Sequence, residues 1–103
     1  MAEPLNADPE IQRQIDATIA DMRKVCADYM AHIACLMDKT PTSMEDEIAR
    51  DHVIGRLCQE MDKTRRPYVD IVLRLASQER RGGVTYVNPI TPELAGRVGQ
   101  AVA

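Results

Sequence analysis

Residues 15–36 read IDATIADMRKVCADYMAHIACL, and within them Ile15, Ile19, Met22, Cys26, Tyr29, Ile33 and Leu36 recur at steps of four and three. That alternation is a heptad seam, one apolar stripe along a long amphipathic helix. A helix with one such stripe must bury it against another helix, so the seam predicts a helical architecture. It names no substrate and no reaction.

Working upstream, Asp8 supplies a carboxylate N-cap, Pro9 suits the first helical position, and Glu10 favours the positive end of the helix dipole. The first helix is therefore expected over Pro9 to Asp38, with residues 1–8 as a flexible arm. Downstream, Lys39-Thr40-Pro41-Thr42-Ser43 ends it, because Pro41 disfavours helical geometry at Thr40. Ser43 followed by Asp46 resembles a capping box, and Glu45 and Glu47 add negative charge to a new first turn.

The second helix carries Met44, Ile48, Ile54, Leu57, Cys58, Met61, Tyr68, Val72, Leu75 and Ala76 at the same spacing. Pro67 removes one backbone hydrogen bond inside it and predicts a kink. The pattern stops at Arg80-Arg81-Gly82-Gly83, where basic residues precede glycines able to adopt a left-handed cap. Val84–Val87 is β-prone, and Thr91-Pro92-Glu93 opens a short helix bearing Leu94, Val98 and Val102 on one face.

These elements predict an all-α fold. A long antiparallel hairpin over residues 9–81, its second helix kinked at Pro67, is followed by a C-terminal extension, 82–103, with a short helix. Placing the turn at Thr40–Pro41 sets Asp16 level with Arg65, Tyr29 level with a half-buried His52, and Met22 and Cys26 around Cys58. It also leaves Leu75 and Ala76 overhanging the first helix. Self-association into a helical-bundle dimer would cover them, as would a C-terminal helix folded back.

Composition narrows the class further. The 103 residues include no Phe and no Trp, which suits helix packing in a single modest core. The net charge of -3 divides into an acidic first half, 5 Lys/Arg against 10 Asp/Glu over residues 1–50, and a mildly basic second half, 8 against 6. That imbalance is too small to imply a nucleic-acid partner by itself. The opening MAEPLNADPE lacks the features of a secretory signal, no apolar run is long enough to span a membrane, and the three cysteines read as reduced thiols; a cytoplasmic location is expected.

The candidate chemistry is sparse. No Walker loop, GxSxG, HExxH, GxGxxG or paired-cysteine motif occurs, so no enzyme and no cofactor are expected. Met22, Cys26, Cys58 and Met61 converge at one level of the hairpin, and soft thiolate and thioether ligands select Cu(I); ordinary core filling is the competing explanation. A zinc set of His32, Cys35, His52 and Cys58 matches no standard spacing. Arg65, Arg66, Tyr68 and Arg74 offer residue types that dominate interface hot spots. The expected function is that of a small non-enzymatic helical interaction protein, an adaptor, regulator or inhibitor of the kind encoded by phages and mobile elements, acting on a protein partner as a homo-oligomer. A helical dimer binding nucleic acid or nucleotide is the first alternative and a Cu(I)-handling protein the second.

Overall fold

The computed structural model describes residues 3–103. Its elements in chain order are α1 (Pro9–Asp38), α2 (Met44–Ala76), β1 (Gln78–Arg81), β2 (Val84–Val87) and α3 (Pro92–Ala101). The starts of all three helices coincide with their sequence caps. Asp8 accepts hydrogen bonds from the Glu10 and Ile11 amides, Ser43 Oγ from the Asp46 amide, and Thr91 Oγ1 from the Leu94 amide. The box at Ser43 is displaced by one residue: the Asp46 carboxylate accepts from the Thr42 amide at 3.2 Å.

Two features depart from an all-α hairpin. The second helix ends at Ala76 and not near Arg81, and the residues beyond it form an antiparallel β-hairpin in which Arg81 pairs with Val84 and Gln78 with Val87. Gly82 and Gly83 have φ of +57° and +82°, so the glycines expected to cap a helix serve instead as the two central residues of a tight hairpin turn. The boundary expected between residues 81 and 82 falls inside this turn. Pro67 lies within α2, and the helix does not end there.

What ends α2 is a set of hydrogen bonds from distant parts of the chain. The Asn6 side-chain amide donates to the carbonyls of Leu75, Ala76 and Gln78 at 3.1, 3.3 and 2.6 Å. Ser77, 2% exposed, turns its hydroxyl onto the Arg74 carbonyl, while the Asn88 amide donates to the Ser77 carbonyl at 2.7 Å. The terminal carbonyls that a helix leaves without partners are thereby satisfied without a glycine cap. The described part of the expected arm, residues 3–8, is tied to the bundle through Asn6 and through Leu5, which packs against the core.

The core sits at one end of the hairpin. Ile11, Ile15, Met22 and Cys26 of α1, Val72 and Ala76 of α2, and Val98 and Val102 of the C-terminal segment form one buried cluster. The C-terminal helix thus folds back over Leu75 and Ala76, and the overhang is covered within the chain. No residue from 27 to 71 is buried. The molecule measures 65 × 23 × 22 Å, and its radius of gyration of 18.1 Å exceeds the ~13 Å of a compact domain this long.

Two outcomes test this description. Replacing Asn6 with Ala strands partly buried carbonyls and should lower the unfolding free energy by about 1–3 kcal/mol in urea titrations. Glu79 accepts hydrogen bonds from Arg81 Nε at 2.9 Å and Asn88 Nδ2 at 3.3 Å, which hold its pKa below the ordinary 4.5. A lowered pKa favours the folded hairpin above the ordinary value, and this support fades as pH falls through the lowered one. Carboxyl NMR titration should place the Glu79 midpoint below 4.5, and Arg81→Ala should move it upward.

Candidate interaction surface

Among the described residues, the distal half of the hairpin consists of two helices with no third element over them. Its seam residues Tyr29, Ile33, Leu36, Ile54 and Leu57 are half-buried, because each has a neighbour on one side only. Arg50 closes the turn by donating to the Lys39 carbonyl at 3.0 Å. Around this end large apolar side chains stand in solvent: Met30 at 60% exposure, Met37 at 67%, Met44 at 77% and Ile48 at 63%.

Those side chains occupy one face, and an open groove occupies the other. The groove is lined near the turn by Leu36, Pro41, Ala49 and Val53, and farther along by Val25, Tyr29, His32 and Leu57. Each exposed Met or Ile lies five residues from a groove residue: Met30 from Val25, Met37 from His32, Met44 from Ala49, Ile48 from Val53. Five residues turn a helix by about 140°, which carries these four side chains across the seam. The groove face mixes these apolar side chains with Asp28, Lys39, Asp46 and Arg50.

The sequence-derived interface residues are dispersed around α2. Arg65 and Arg66 share a shallow depression with Asp62 and Val69, whereas Arg74 lines another with Asp70, Leu73, Val87 and Ile90. Tyr68 is half-buried and packs against the core cluster. Arg65 does not pair with Asp16 as the register suggested. It bonds to Asp62, one turn back on its own helix, at 3.1 Å, and Asp16 accepts from Gln12. His52 is exposed, not half-buried beside Tyr29.

Of the sulfur cluster, Met22 and Cys26 are buried, Met61 packs against the same cluster, and Cys58 is half-buried. The zinc set is not assembled. His32, Cys35 and His52 are exposed, and among the described residues no group of three or more His, Cys, Asp or Glu could hold a metal ion. No helix among the described residues is long and apolar enough to cross a membrane.

The sequence pattern placed Met44 and Ile48 in the apolar stripe of the second helix, but both stand in solvent on a face beside the seam, because the seam of α2 runs through Ile54 and Leu57. The available signal was the spacing of Met30 and Met37 by seven residues and of Met44 and Ile48 by four, which makes a second stripe beside the first. Comparison of the chain with protein-family models, with curated proteins and with solved structures found no match.

Proposed function

We propose that this chain is a non-enzymatic interaction protein that acts in the cytoplasm by binding a macromolecular partner, a protein, and that it works as a homo-oligomer. The observation that carries this reading is the uncovered apolar surface of the distal hairpin. Met30, Met37, Met44 and Ile48 stand there at 60–77% exposure. Large exposed apolar patches mark interaction surfaces. An adaptor, regulator or inhibitor needs a rigid presenting element, and a helical rod anchored by a core at one end is suited to that role.

The Arg65–Arg66 depression is the proposed contact for the protein partner. The hydrogen bond missing at Pro67 bends the helix surface beside it and gives a partner relief to grip. Tyr68 then serves as the packed support beneath the contact.

Quantitative affinity capture from lysate of the source cells, repeated with Arg65→Ala/Arg66→Ala, tests this reading. One stoichiometric protein partner is expected, with binding weakened by about 2 kcal/mol or more and the helical circular dichroism signal retained. Unchanged affinity would move the site to the acidic face of α1, and recovery of nucleic acid alone would replace the protein partner with a nucleic acid.

A further inference from the structure

We propose that the free edge of β2 pairs antiparallel with the same strand of a second copy of the chain, so that two hairpins join into one four-stranded sheet. This rests on the homo-oligomer part of the reading above and assigns its contact to backbone groups.

The phase of the hairpin ladder identifies those groups. The Asn88 amide donates to the Ser77 carbonyl at 2.7 Å, which makes Ser77 and Asn88 a hydrogen-bonded pair. Along an antiparallel ladder such pairs alternate with pairs whose backbone groups point away from each other. Gln78–Val87 and Arg80–Thr85 are therefore the outward-pointing pairs.

The two edges of the hairpin differ. On the β1 side the outward Gln78 carbonyl is taken by Asn6 Nδ2 at 2.6 Å, and Glu79, Arg80 and Arg81 set charges along the strand, a usual protection against an added strand. The β2 side has neither device. β1 is its one strand neighbour, residues 84–90 carry no charged side chain, and among the described residues no tertiary hydrogen bond reaches the Thr85 or Val87 backbone.

A row of unpaired amides and carbonyls is recognised by another extended backbone, and a second β2 matches it residue for residue. Centring the pair on Tyr86 sets Thr85 opposite the second copy's Val87 and Val87 opposite its Thr85, so every outward N–H and C=O of both strands is used. Centring it on Thr85 or Val87 would set the remaining residue against Gly83, in the turn, or against Pro89, which has no N–H. In the Tyr86 register the two tyrosines form a close cross-strand pair, an aromatic contact that stabilises adjacent strands. Val84, Tyr86, Val87 and Ile90, on this strand or just beyond it, are each more than half exposed.

Charge and strand number favour the same pairing. The charged β1 strands become the outer strands, three strand spacings or about 14 Å apart, beyond the ~8 Å screening length at physiological salt. Asp70 and Arg74, one of each sign, flank the depression that Val87 and Ile90 share with Leu73 and Ser77. A lone two-stranded hairpin is marginal in water, and three or more strands with an apolar face make a stable sheet.

Sedimentation equilibrium and amide hydrogen exchange of the purified full chain, from micromolar to millimolar concentration, test this pairing. A mass rising from 11.5 kDa to twice that value is expected, with exchange of the Thr85 and Val87 amides slowed about tenfold or more in the dimer. Thr85→Pro removes an outward N–H and no bond of the hairpin's own ladder. It should weaken association about tenfold or more, while the helical signal is retained and the Glu79 midpoint stays below 4.5. A mass of one chain throughout would overturn both the homo-oligomer and this edge. A dimer that Thr85→Pro leaves intact, or one in which the Thr85 and Val87 amides exchange as freely as in the monomer, would leave the homo-oligomer standing and overturn the edge.

Discussion

Burial in this molecule depends on one constraint: a pair of helices cannot bury its own seam, and a third element has to close over it. At the base that element is the C-terminal segment, whose Val98 and Val102 complete a cluster with Ile11, Ile15, Val72 and Ala76. Fully burying a Val or Ile side chain contributes about 1.5–3 kcal/mol. The few residues that reach that state lie where three helices meet, and none lies between 27 and 71.

The base is also where the chain's backbone accounting closes. Ending α2 at Ala76 exposes carbonyls that would cost free energy if left dry, and Asn6, Ser77 and Asn88 satisfy them from three separate segments. The β-hairpin continues directly from this junction. Two strands alone are marginal in water, and here the strands are held at their open end by the Asn88–Ser77 bond and by the Glu79 carboxylate, which receives both Arg81 and Asn88. The ion pairs elsewhere, Arg13 with Glu10 and Arg65 with Asp62, join residues one turn apart on the surface and contribute little to tertiary structure.

An anchored base and a bare distal half divide the rod by task. The base supplies stability, and the distal half supplies surface. Its groove and its Met and Ile stripe lie on opposite faces. The sulfur-bearing side chains fit the same division. Met22, Cys26 and Met61 fill space in the aromatic-poor core, whereas Met30, Met37 and Met44 are exposed where adaptable packing suits a partner surface.

The sequence by itself determined where the helices begin, the bounds of the first, and which stripe of the first faces the hairpin seam. Those properties are local: Asp8, Ser43 and Thr91 each cap an amide two or three residues away, and a seam is a matter of steps of three and four. Tertiary structure decided where α2 ends, because the amide that satisfies its last carbonyls belongs to Asn6, about 70 positions earlier. It decided that Gly82 and Gly83 turn a hairpin, since only the chain's exit at Ser77 makes a strand of the residues before them. It also decided which half of a uniform heptad seam is buried. Ile15 and Ile33 have equivalent places in the pattern, yet Ile15 is at 0% exposure and Ile33 is half-buried, because α3 docks near one and not the other. Periodicity fixes the direction in which a side chain points, and burial depends on what the rest of the chain brings to meet it.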